Sequence, residues 1–281
     1  MPKDFTPRLT LFGRKPAPER EALEAPEELI PIDQLKEVRW TPPIPVLDQE
    51  DLLAQDIHTS EFIQGETQDV DALGSCTAQA STASFAERLA AVKGVAALAS
   101  VGISPTDTRA NEIWAIKFYH AVTTAYGGPD GEWPPNDDGS SGIYCCDELE
   151  VRGLIESHKS ATTVWGLLSL LQKGSAEVGG PWFNSMMTPD SNGFIDGDGS
   201  TAAIKRVIAS GEAGGHERYV GAIIQLKLTS KGEIDLERTI LEDRNSWDAN
   251  WGPLGGSYRY HASFLQATLN QTDFKAFVVA A

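Results

Sequence analysis

The sequence is poor in cysteine, in positive charge and in long apolar runs. It has 3 cysteines in 281 residues, 23 Lys+Arg against 40 Asp+Glu, and no segment near the roughly 20 apolar residues of a membrane helix. A disulfide framework is excluded: Cys145 and Cys146 are adjacent, so at most one ordinary bridge could form, and the isolated Cys76 fits a reducing compartment. The formal net charge of −17 repels phosphate backbones and anionic lipid surfaces, which argues against nucleic-acid and membrane partners. The N-terminus, MPKDFTPRLTLFGRKPAPERE, lacks the apolar stretch of a signal peptide. Residence in a cytosol, or packaging from one, is expected.

What is present is an ordinary globular composition, 41% hydrophobic and 22% charged, on a chain long enough for a sizeable core. Residues 1–60 are rich in proline and charge, with short helical pieces expected at Pro18–Leu29 and Gln49–Gln55. They read as an extended arm, a pro-segment, an anchor to a partner or a strap across the domain. Residues 61–160 are helical in texture, with helices expected from Cys76 to Gly94, over Ala110–Ala125, and over IYCCDELEVRGLIES to near His158. Residues 161–281 begin with a short helix over 161–172. Strands follow in YVGAIIQLKL, IDLERTILEDRNSW and GGSYRYHA. Helices first and strands afterwards predict an α+β protein with segregated lobes.

Three places carry chemistry. Gly74-Ser75-Cys76 lies at the start of a predicted helix, where the partial positive charge of the N-terminus favours a thiolate. Gly214-Gly215-His216 precedes an apolar strand; the glycines leave room for a substrate beside a candidate general base. Asn245-Ser246-Trp247 follows another strand. Its asparagine is suited to accept a hydrogen bond from an imidazole, and its tryptophan to shield that bond from water. Each has a plainer reading as a packing cysteine, a surface histidine and a turn.

Taken together, these residues resemble the papain-like cysteine peptidases, in their bacterial and phage-encoded branch. Leu73-Gly74-Ser75-Cys76-Thr77-Ala78 resembles the LGSCTA nucleophile motif, Gly214-Gly215-His216 the GGHA motif, and Asn245-Ser246-Trp247 with Trp251-Gly252 the NSWGxxWG signature. Trp182-Phe183-Asn184-Ser185-Met186 is similar to the WYNSM segment of phage-encoded relatives. His216 falls within the family's spacing of roughly 130–150 residues after the cysteine, and Asn245 somewhat beyond it. The resemblance implies a papain-like two-lobe fold, with a helical lobe carrying the nucleophile and an antiparallel β-barrel-like lobe carrying His216 and Asn245. It implies Cys76 as nucleophile, His216 as base and Asn245 as its orienting residue. Gly74, Ser75, Gly215 and Trp247 would shape the site, and no metal or organic cofactor would be needed.

The sequence also departs from the family pattern. Where a glutamine is expected six residues before the cysteine stands Val70, and Gln68 is the nearest candidate for the oxyanion donor. Leu73 replaces the cysteine of the usual disulfide, Asp248 replaces the glycine of NSWG, and Glu217, Arg218 and Arg244 place charge around the site. Asp196-Gly197-Asp198-Gly199-Ser200 lacks the closing glutamate of a calcium loop and reads as a surface turn. Cys145-Cys146 reads as helix packing, and His58, His120, His158 and His261 have no partner recognisable in sequence.

The leading expectation is hydrolysis of a peptide or protein substrate through a thioester. The alternatives are a weak or inactive phage structural component held by the N-terminal arm, which would be virion-associated, and acyl transfer of the transglutaminase type. Autocleavage near residue 60 is a separate expectation.

Overall fold

A computed structural model of the chain describes residues 12–16, 29–58, 71–128 and 131–280. The expected helix over Pro18–Leu29, Gln64, Gln68, Val70 and the expected cleavage near residue 60 lie outside the described residues, apart from Leu29.

The first half is helical. The small-residue stretch after Ser75 winds into α1 (Cys76–Lys93), which stops at Gly94, where φ is +85°. α2 (Thr108–Tyr126) begins where the Asp107 side chain accepts the Ala110 N–H. α3 (Gly142–Val151) ends before Gly153, at φ +66°, earlier than the sequence suggests. The expected continuation to His158 is corrected: from Ser157 the chain is strand, because it pairs with the C-terminal strand instead of staying helical. The helix expected over Gln49–Gln55 shrinks to one turn of 3-10 helix at Leu53–Gln55.

The second half is a sheet with helices on it. β1 (Val38–Arg39), β2 (Ser157–Ala161), β3 (Ala176–Phe183), β4 (Glu212–Gln225), β5 (Ile240–Arg244), β6 (Ser257–His261) and β7 (Asp273–Val278) pair only antiparallel, in the order β2-β7-β3-β4-β5-β6, with β1 on β4. α4 (Val164–Leu171), α5 (Thr201–Ala209) and α6 (Ala262–Ala267) complete this half.

Two hydrophobic clusters follow this division. One gathers Leu167, Leu171, Val178, Trp182, Ile223 and Phe264; the other gathers Phe85, Leu89, Phe118, Val122 and Leu149. α1 runs between them. It touches α2 and α3 on one side and β3, β4 and β7 on the other, so it is buried around most of its girth as far as Glu87. Alanine and serine suit that position, because a helix enclosed on all sides needs small residues for close approach.

The described stretch from Leu29 to His58 lies across both halves, with Leu35 in the first cluster and Ile44, Leu47 and Leu52 in the second. Ile30 accepts from the Trp165 indole and donates to Ser169 on α4, β1 extends the sheet, and Arg244 donates to the Ile44 carbonyl.

Candidate active site

Cys76 is the first residue of α1 and is fully buried. Ser75, at the N-cap, makes no side-chain cap. The approach to the cysteine is held by Asp137, which accepts the Gly74 N–H at 2.8 Å and the Tyr119 hydroxyl at 2.8 Å.

His216 sits on β4 opposite Gly180 of β3, and Asn245 directly follows β5. The sheet brings them together: His216 Nε2 and Asn245 Oδ1 are 2.8 Å apart. The same Asn245 oxygen accepts the Ser246 N–H at 2.9 Å. Its role as an acceptor places the imidazole proton on Nε2 and the lone pair on Nδ1. His216 Nδ1 is buried and has no hydrogen-bond partner among the described residues. Trp247 stacks on the ring at 4.8 Å, with Trp182 edge-on at 5.1 Å.

The electrostatics are those of a covered site. Burial pushes the Cys76 thiol up to about 12, against backbone hydrogen bonds from Glu217 and Gly13 that lower it. Burial holds the His216 imidazole down to about 3, with Arg218 lowering it further and the Asn245 hydrogen bond opposing. Both groups are therefore neutral as they stand. The cover is residues 12–15. Phe12 lies edge-on to His216 and Trp247, and Arg14 N–H donates to the Gly215 carbonyl at 3.2 Å. Lys15 N–H donates to Ser140 and Ser140 N–H to Gly13. Glycines make this passage: a Cβ on Gly214 would sit 2.2 Å from the Phe12 Cβ, one on Gly215 2.4 Å from the Arg14 oxygen, and one on Gly13 1.5 Å from the Gly74 oxygen.

Gln49, absent from the sequence-derived set, joins the site. It is fully buried; its Nε2 donates to the Leu73 carbonyl at 3.0 Å, and its own carbonyl accepts the Leu73 N–H at 3.1 Å. Gln49 and Leu73 are therefore paired in space although 24 residues apart in sequence. Counting a fixed six residues back from Cys76 does not reach Gln49. Glu112 steadies this corner by accepting from the Asp48 N–H and the Gln79 amide.

The remaining sequence candidates resolve plainly. All three cysteines are free and buried. The turn expected at Asp196–Ser200 is found with Gly197 and Asp198 exposed, but Asp196 at its start is fully buried and accepts from His261 Nδ1 and the His261 N–H. His158 and His58 also have partners, Glu150 and Asp56, and His120 Nδ1 lies against the Trp133 carbonyl. No cluster of His, Cys, Asp and Glu suited to a metal occurs among the described residues, and no described helix is long and apolar enough to cross a membrane.

No family model matches the sequence, and no curated protein matches it. Solved structures do match the fold. Xylellain, a cysteine protease from Xylella fastidiosa, superposes with a TM-score of 0.60 at 16% identity, over 98% of this chain and 98% of its own. Procathepsin B S9 from Trypanosoma congolense superposes at 0.52 with 10% identity, over 97% of this chain and 88% of its own. With a helical half that begins at Cys76 and an antiparallel half that pairs His216 with Asn245, the chain has the fold of the papain-like cysteine proteases.

Proposed function

We propose that the chain is a cysteine peptidase held latent by its own N-terminal segment, with Cys76 as nucleophile, His216 as base and Asn245 as the residue that orients the base. The observation carrying this reading is the 2.8 Å contact between His216 Nε2 and Asn245 Oδ1, which leaves Nδ1 buried and without a hydrogen-bond partner among the described residues, on a strand that packs against the helix starting at Cys76. In the reaction the Cys76 proton passes to His216 Nδ1 and the sulfur bonds to the substrate carbonyl carbon. The Cys76 N–H and, after turning from Leu73, Gln49 Nε2 hold the oxyanion. The C–N bond breaks as the imidazolium returns its proton to the leaving amine. Water deprotonated by His216 then cleaves the thioester and restores the thiol.

A specific observation favours latency over loss of function. The side chains of the triad are all present, while residues 12–15 cover them and burial keeps the thiol and imidazole neutral. The particle-component reading rests on the sequence resemblance alone. The test is peptide hydrolysis by the full chain and by Cys76→Ala, together with epoxysuccinyl labelling of the Gly13→Ala chain, in which the new Cβ disturbs the cover. Hydrolysis and labelling that both disappear with Cys76→Ala are expected. Hydrolysis that survives Cys76→Ala, or an unlabelled thiol in Gly13→Ala, would overturn the proposal.

A further inference from the structure

Within residues 12–15 the Arg14 side chain is buried, and what surrounds it is suited to a cation. Its guanidinium pairs with Asp273 on β7, its Nη1 donates to the Gln271 carbonyl at 3.3 Å, and its Nε lies 3.9 Å from Glu217 Oε2. The Arg14, Glu217 and Asp273 side chains are 6%, 0% and 8% exposed. Lys275, also fully buried, pairs with both carboxylates. Glu217 Oε2 accepts no hydrogen bond among the described residues, so an acceptor nine-tenths buried and more faces the guanidinium unclaimed.

The space is kept open by glycine. A Cβ on Gly179 would stand 2.5 Å from Glu217 Oε2 and 2.6 Å from Arg14 Nε, and one on Gly142 would stand 2.8 Å from Glu217 Oε1. Two carboxylates therefore face one resident cation, Lys275. Burial raises the carboxyl of the nearby Glu177 and also that of Glu217, which Lys275 and Arg14 oppose. Asp273 stays ionised: burial raises it, but Lys275 and Arg14 together hold it below its ordinary range. When Arg14 leaves, Asp273 keeps Lys275 but loses the second cation that holds it ionised, and the Gln271 carbonyl and Glu217 Oε2 lose the guanidinium they face.

We infer that this pocket, walled by Glu217, Asp273 and Gly179, is the specificity pocket of the cleft and takes a basic side chain, arginine first, from the residue next to the one at Cys76. The position follows from the cover itself, because Gly13 lies against Gly74 beside the nucleophile and Arg14 is its neighbour. Arginine is favoured over lysine by the spread of its partners: Asp273, the Gln271 carbonyl and Glu217 each face a different nitrogen of the planar guanidinium. The inference rests on the peptidase reading only for the word specificity; the pocket's preference for a cation is a binding property.

The test therefore has a binding arm and a turnover arm, both on the full-length chain. In Arg14→Ala/Cys76→Ala, the affinity of the peptide Leu-Phe-Gly-Arg-Lys-Pro is compared with that of the same peptide carrying norleucine for arginine. In Arg14→Ala, and independently in Gly13→Ala, kcat/KM is measured on a fluorogenic peptide library varied at the residues flanking the cleaved bond. An arginine preference of at least about tenfold in both arms is expected, with the preference reduced by Asp273→Asn. Equal binding of arginine and norleucine peptides, or cleavage indifferent to the neighbouring residue, overturns the pocket and leaves the peptidase standing. Preferential binding of the arginine peptide without any turnover supports the pocket and sinks the peptidase reading instead.

Discussion

Gln49 and Ser246 are tied together twice: the Gln49 N–H donates to the Ser246 carbonyl at 3.0 Å, and the Ser246 hydroxyl donates to Gln49 Oε1. Ser246 also donates its N–H to Asn245 Oδ1, so the proposed oxyanion donor and the residue orienting the base share one neighbour. A shift in either is transmitted to the other. The first prediction concerns this pair.

Gln49→Ala is expected to lower kcat by roughly 100- to 1,000-fold, as loss of one oxyanion donor does, with little change in KM. Cys76 should still react with iodoacetamide. Steady-state kinetics on Gln49→Ala and Gln68→Ala decide between the two glutamines: if Gln68→Ala carries the loss, the assignment to Gln49 is wrong.

Gly13→Ala is expected to expose the thiol. The new Cβ would stand 1.5 Å from the Gly74 oxygen, far inside contact distance, so residues 12–15 cannot seat as they do now. Alkylation of Cys76 at pH 7 should accelerate at least about tenfold, since local opening free energies of a kcal/mol or more govern access to buried groups. The melting temperature should fall as well, because Phe12 leaves the cluster it packs against and buried Asp273 loses Arg14. An unchanged alkylation rate would show that the cover does not limit access.

Opening should also change the pH response of the site. Burial holds His216 near 3 and Cys76 near 12 with the cover in place. Solvating the site moves His216 up towards 6.5 and Cys76 down towards 9, which favours the reactive ion pair. The alkylation rate of Gly13→Ala should therefore rise at lower pH than that of the unaltered chain, a shift measurable by iodoacetamide kinetics between pH 5 and 10.

Glu112 gives a stability prediction with a definite sign. Burial raises its carboxyl to about 8, against hydrogen bonds from Asp48 and Gln79. The folded chain thus binds a proton that the unfolded chain releases near 4.5. The associated stability is fully present below 4.5 and is lost as pH rises through 8. Urea unfolding should show stability falling over that window, and Glu112→Gln should flatten the fall. A slope unchanged in the variant would place the titration elsewhere.

Much of the fold was legible in the sequence because its signals are local. The small-residue run after Ser75 and the stop at Gly94 define α1, and the apolar run YVGAII marks the C-terminal half of β4. β3 was missed: AEVGGPWF is buried on both faces, so it has no alternation to read. The true end of α3 was missed for a related reason. Nothing within residues 152–158 reports that Ser157–Ala161 will pair with Phe274–Val278 at the other end of the chain.

By itself, the sequence determined which side chains are available for chemistry: one isolated cysteine before a helix, a histidine after two glycines, and an asparagine followed by a tryptophan. Bringing them together was decided by tertiary structure. Strand pairing sets His216 within 2.8 Å of Asn245, and the return of the chain to Leu73 delivers Gln49, which is 24 residues away in sequence. The cover is likewise a tertiary fact. Phe12 to Lys15 has no local mark as an occupant of a cleft; it becomes one because Gly74, Gly214 and Gly215 leave space and Asp273 and Glu217 supply charge for Arg14. At Cys76, then, residue type sets what the thiol is capable of, and burial beneath residues 12–15 holds it neutral.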